Sequence, residues 1–129
     1  MSFSVLVSFI VEFLKEKNID YKIENANVVS FKYRGFNTIF SEKDKIYYII
    51  TIPNLYKVED DKRSKVFEII NEYNIKSPFV QFYITDDNKV NSKIEFMTTS
   101  LFNNDTTYST LVNILIDRSD MFRERIKGI

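Results

Sequence analysis

The chain has 129 residues, with 18 Lys plus Arg balancing 18 Asp plus Glu, and contains no Cys, His or Trp. That length fits one domain spanning 1–129 with a core of its own. Lack of cysteine excludes disulfides, thiolate metal sites and cysteine nucleophiles. Lack of histidine removes the commonest general base and metal ligand, and the charge balance leaves no net field to recruit nucleic acid.

Phe3 to Leu14 is a dense apolar run. It has no basic leader, carries Glu12, and is followed by Lys15-Glu16-Lys17, so it reads as a buried helix and not as a secretory signal. It is also too short to span a bilayer. The expectation is a cytoplasmic protein with no membrane partner. Ser2 or Ser4 is placed to cap this helix, and Phe3, Leu6, Ile10, Phe13 and Leu14 give one apolar stripe. Val5, Val7, Phe9 and Val11 make other sides apolar too, which asks for wide cover by the sheet and by a partner. The same residues alternate well enough to permit a strand. Lys15, Lys17 and Asn18 mark the helix end.

Ile19–Ile23 reads as a short edge strand and Glu24–Asn27 as a polar turn. Val28 to Pro53 is a meander of three runs at period two. Val29, Phe31 and Tyr33 alternate with Ser30, Lys32 and Arg34, and Gly35 turns the chain. Phe36, Thr38 and Phe40 continue, Ser41-Glu42-Lys43-Asp44 turns it again, and Lys45–Ile52 completes the set. Pro53, which cannot donate to a ladder, closes it.

A second helix is predicted from about Asp60 to Tyr73, with an aspartate at its cap and Val66, Phe67, Ile70 and Tyr73 buried. Asn74 and Pro78 stop it. Phe79–Thr85 and Val90–Thr99 form a hairpin across Asp86-Asp87-Asn88-Lys89. A third helix begins at Thr106 or Thr107 and buries Tyr108, Leu111, Val112, Leu115 and Phe122. The order is α-β-β-β-α-β-β-α with room for one extra strand: an α+β fold, three helices on an antiparallel sheet of five to six strands.

No motif carries chemistry. Arg34-Gly35-Phe36 resembles the start of the RNA-binding octapeptide of RRM domains, but Asn37, Thr38 and Ser41 break the pattern, and a hairpin turn explains the glycine. Asp86-Asp87-Asn88 lacks the glycine and distal glutamate of a calcium loop. Glu59-Asp60-Asp61 is accounted for by a helix N-terminus. No catalytic set, metal site or cofactor is expected.

The sheet faces are the informative feature. With Ile46, Tyr48, Ile50, Val80, Phe82, Ile84, Ile94 and Phe96 inward, the reverse side carries Tyr47, Ile49, Thr51, Phe79, Gln81, Tyr83, Glu95 and Met97. That is more apolar and aromatic than a wet sheet face needs to be. Cover is expected from the third helix, a second subunit or a client polypeptide. Tyr47, Ile49, Phe79, Gln81, Tyr83 and Met97 are the candidate partner-binding residues.

The element order resembles the YbjN-like proteins, which share the fold of class I type III secretion chaperones. The shared features are the leading helix, the strand Val28–Tyr33 ending in Tyr33-Arg34-Gly35, its pair Phe36–Phe40, and the long strand closing at Pro53. The middle helix, second hairpin and last helix follow. The resemblance implies an α+β sandwich, commonly a homodimer, that binds segments of other polypeptides without catalysis. Electrical neutrality differs from the acidic secretion chaperones and favours the YbjN-like branch. The expectation is therefore a non-enzymatic, chaperone-like binder of a polypeptide or of itself. The alternative is a small-ligand protein or enzyme using Tyr and carboxylates between helix and sheet.

Overall fold

A computed structural model describes residues 5–44, 47–77, 79–97 and 105–129, with side chains from residue 7 at the N-terminus and from 107 in the last segment. The elements are α1 (Val5–Glu16), β1 (Tyr21–Asn25), β2 (Val28–Tyr33), β3 (Phe36–Lys43), β4 (Tyr47–Lys57), a 3-10 turn (Asp60–Lys62), α2 (Arg63–Lys76), β5 (Gln81–Ile84), β6 (Lys89–Met97) and α3 (Asp105–Ile126). The extra strand is real, and the six strands run antiparallel in the order β1-β2-β3-β4-β6-β5.

The residues 5–16 settle as helix because both of its broad apolar sides find cover. Val7, Ile10, Val11, Phe13 and Leu14 are buried, and α1 packs on β2, β3 and α3. A helix apolar on several sides is stable only in such a cleft. It ends in a Schellman motif: Asn18 takes φ 55°, its N–H donates to Lys15 O, and the Ile19 N–H donates to Leu14 O at 2.8 Å. The proposed caps Ser2 and Ser4 lie outside the described residues.

The hairpin between β2 and β3 turns on Arg34 (φ 53°) and Gly35 (φ 84°), both left-handed, as a two-residue turn of type I′ requires. The Arg34 guanidinium then reaches α3, donating to Asn113 Oδ1 at 3.1 Å and Asp117 Oδ1 at 2.7 Å. The supposed RNA-binding start is thus a turn whose arginine is tied down within the fold.

Several boundaries differ from the sequence reading. The tetrad Ser41–Asp44 is not all turn: β3 continues to Lys43, and period two carries Glu42 onto the core face, where it is buried. Pro53 does not end β4. The strand shifts register between Ile52 and Tyr56, with Asn54 at φ 59°, and resumes pairing through Tyr56↔Val90. The β3 partner has already stopped at Thr51↔Ile39, so the proline falls where a bulge leaves no ladder bond to break.

The second helix likewise starts later, with Lys62 at its N-cap and no side-chain cap bond, so the aspartate cap is not made. It buries Val66, Ile69 and Ile70; Phe67 lies 48% exposed under the Arg63 guanidinium. Asn74 sits within the helix, which runs to Lys76, and Pro78 lies outside the described residues. In α3, Ile116, Ser119 and Ile126 are buried along with Tyr108, Val112, Leu115 and Phe122, while Leu111 is half-buried.

All three helices lie on one face of the sheet. Tyr33 meets Phe13 of α1 at 6.0 Å, Phe40 and Phe96 meet Tyr108 of α3 at 6.0 and 6.3 Å, and Phe82 meets Tyr73 of α2 at 5.8 Å. Phe82 also stacks on Phe122 at 4.5 Å, joining β5 to α3. Six strands span about 24 Å. Three helices side by side, each about 10 Å across, fill that width, so none remains for the reverse face.

Candidate functional site

Among the described residues, no helix covers the reverse face. Register places Lys22 and Ser30, Asn37 and Lys32, Ile39 and Thr51, Ser41 and Ile49, Tyr47 and Met97, Lys93 and Gln81, and Asn91 and Tyr83 there as neighbours. Not one of these residues is buried. Tyr47, Ile49 and Tyr83 are half-buried among their own neighbours, and Met97 is 61% exposed.

Five of the six candidate residues come together on this face: Tyr47, Ile49, Gln81, Tyr83 and Met97. Phe79 does not. It precedes β5, is 74% exposed, and lines a groove beside Ile114 and Met121 of α3. The hairpin is shorter at this end than period two suggested, so no strand register fixes where Phe79 points.

The face is also less greasy than its aromatics suggest, because charges interleave with the rings. Tyr47 donates its hydroxyl to Glu95, and Lys93 bonds the same carboxylate. The Lys93 ammonium lies 5.1 Å from the centre of the Tyr83 ring, and Asn91 Nδ2 donates to Tyr83 Oη at 3.4 Å. Asn91 Oδ1 in turn accepts from the Asn54 N–H at the β4 bulge. A single network thus runs from the bulge, across β6 and β5, to Tyr47. The Lys93 hydrogen bond, then that of Tyr47, holds the Glu95 carboxyl below its ordinary range; the Glu95 contact raises the Tyr47 phenol above its own. Rings fixed this way offer contact area with little rotamer freedom left to lose on binding. Sequence alternation found the rings; it could not find the cross-strand charges that orient them, since these depend on the β4–β6 register.

The two free edges of the sheet differ. On β5, Asn74 of α2 donates to Phe82 O at 3.1 Å and accepts from the Phe82 N–H at 2.8 Å, imitating a neighbouring strand. At the opposite end, among the described residues, β1 pairs only with β2. One edge is closed by a side chain; the other is open to a further strand.

The helix–sheet interior holds Glu42, Tyr48 and Tyr108, the residue types of the alternative reading. They sit within packed rings: Phe40 lies 5.7 Å from Tyr48, and Phe9 lies 6.2 Å from Tyr108. Burial raises the Tyr108 hydroxyl well above a free phenol. Tyr48 and Glu42 lie near enough to Tyr108 to add to that upward shift. Glu42 Oε2 and Tyr108 Oη have no hydrogen-bond partner among the described residues. The Asp86-Asp87-Asn88 segment is an Asx-rich hairpin turn, with Thr85 Oγ1 donating to Asp87 and Asn88 at φ 60°. Among the described residues, no group of three or more Asp and Glu is placed to hold a metal ion, and no helix is long and apolar enough to cross a membrane.

Three helices and a six-stranded antiparallel sheet place this chain in the fold shared by YbjN and type III secretion chaperones. YbjN from E. coli superposes with a TM-score of 0.69 at 10% identity, covering 98% of this chain and 96% of that one. The Yersinia pestis type III secretion chaperone SycH, solved with a stable fragment of YscM2, gives 0.64 at 11% identity, covering 89% and 97%. A chain of the heterodimeric ExoU–SpcU complex from the Pseudomonas aeruginosa type III secretion system gives 0.60 at 15% identity, covering 88% and 91%. No family model and no curated relative matches the sequence.

Proposed function

We propose that this protein is a non-enzymatic, chaperone-like binder of polypeptide segments, acting as one cytoplasmic domain of 129 residues that self-associates as a homodimer. The observation that carries the reading is the reverse sheet face. Tyr47, Ile49, Tyr83 and Met97 lie there uncovered by any described helix, and the two tyrosines are held in place by Glu95 and Lys93. An aromatic surface with pre-set side chains is what polypeptide recognition favours. The open β1 edge adds backbone donors and acceptors, so a client could extend the sheet as a strand. SycH was solved with a YscM2 fragment and SpcU with ExoU, which supports a polypeptide as the ligand class.

The test is a paired measurement on the wild type and a Tyr47→Ala/Tyr83→Ala variant. Sedimentation equilibrium follows self-association, and affinity capture from the native organism identifies clients. The expected result is a dimer, with client capture lost in the variant while thermal unfolding changes little. A strict monomer at high micromolar concentration removes the homodimer. Client capture unaffected by the variant removes the reverse face as the binding surface.

A further inference from the structure

A second apolar surface lies on the opposite side of the molecule from the open sheet face. The end of α2, the turn leading into β5 and the middle of α3 enclose a groove of about 480 Å³, floored by Phe79, Val80, Ile114 and Met121. Phe79 is 74% exposed, Met121 52% and Ile114 37%, a concentration of large exposed apolar side chains where a turn meets a helix. The rim is charged unevenly. Lys76 is paired with Glu72, and Asp117 is already taken by Arg34. Arg118 lines the same groove, and its guanidinium has no ion pair or hydrogen bond among the described residues.

We infer that this groove docks an amphipathic helical segment of a partner protein, with an acidic side chain placed against Arg118. Charge complementarity selects the sign, because among the described residues the one unpaired charge at the rim, Arg118, is positive. The same surface of a second copy offers no free carboxylate in return. Backbone satisfaction selects the helix. An extended segment needs a strand edge to bond to, and the adjacent edge, β5, is occupied by Asn74. A helix satisfies its own backbone and asks only for apolar contact. Ile114 and Met121 stand two turns apart on α3, about 10 Å by helical rise, which suits apolar residues spaced i and i+7 on the incoming helix. This surface is independent of the reverse sheet face, and either can fail alone.

The test uses two fluorescent peptides of about 14 residues, the length at which a designed sequence begins to hold a helix. Both carry Leu at i, i+3, i+4 and i+7; one has Glu flanking the Leu stripe and the other Lys. Anisotropy gives affinity and amide chemical-shift mapping gives location. The Glu peptide is expected to bind at least tenfold more tightly, a difference of about 1.4 kcal/mol, and to shift the amides of Phe79, Ile114, Arg118 and Met121. Arg118→Glu, an exposed change, should reverse the preference, and Tyr83→Ala should leave it intact. Shifts centred on Tyr47 and Tyr83, an order of affinity unmoved by Arg118→Glu, or no binding at millimolar peptide would overturn the inference. So would a dimer that Met121→Asp dissociates, which would assign the groove to a second copy.

Discussion

Asn74 makes two hydrogen bonds to the backbone of Phe82, and its removal isolates the energetics of the closed sheet edge. Each bond contributes about 1 kcal/mol net. Alanine, however, is a better helix former than asparagine by about 0.5 kcal/mol, and position 74 lies within α2. The expected loss for Asn74→Ala is therefore about 1.5 kcal/mol. With an unfolding entropy of about 2.1 cal/mol/K per residue, a chain of this length loses about 0.27 kcal/mol per degree. The melting temperature should then fall by about 5–6 °C. Asn71→Ala is the control: it is exposed on the same helix, gains the same propensity and, among the described residues, makes no side-chain hydrogen bond to β5. It should stabilise slightly. Urea unfolding followed by circular dichroism gives both values, and hydrogen exchange at the Phe82 amide reports the edge directly. Equal shifts for the two variants, or unchanged Phe82 exchange, would refute the account of α2 as an edge cap. The Asn74→Ala protein should also self-associate through β5 more readily at high concentration, because the freed strand edge is a template for pairing.

Three further outcomes follow from the faces and turns. Phe82→Ala, which deletes a buried ring packed on Phe122 and Tyr73, should cost about 3–5 kcal/mol, whereas Tyr83→Ala should cost less than about 1.5; equal losses in thermal melts would mean the faces are reversed. Gly35→Ala should destabilise by about 1 kcal/mol through its φ of 84° alone, since a Cβ there meets no atom within 4 Å; a neutral result would show that the turn relaxes. Glu95, held below the ordinary carboxylate range by Lys93 and Tyr47, contributes stability above its unfolded pKa that is lost as pH falls through the depressed folded value. Carbon-detected titration should show that midpoint rising in Lys93→Ala, and the Tyr47 phenol titrating lower in Glu95→Gln.

Local patterning made the element types and both sheet faces legible. Period two from Val29 to Phe40 and from Tyr48 to Phe96 specifies which side chains share a face, because a one-residue slip would put the whole set into water. The Arg34-Gly35 turn and the Asn18 helix end were equally readable, since each depends on a residue's own tolerance of positive φ. What escaped the sequence were features whose cause lies elsewhere in the chain. Pro53 reads as a stop until the β6 register shows that a bulge absorbs it. Glu42 reads as turn until β3 carries it inward, and Phe67 reads as core until Ile69 takes that place against the sheet.

The same division holds for function. Composition alone removed histidine and cysteine chemistry, and alternation alone predicted an aromatic reverse side. Only the packed structure decided that three helices share one face and leave that side uncovered, because the width of six strands is matched by three helices abreast. Only it sent Phe79 to a separate groove with Ile114 and Met121, and gave Asn74 to the β5 edge, since both assignments depend on where α2 and α3 come to rest.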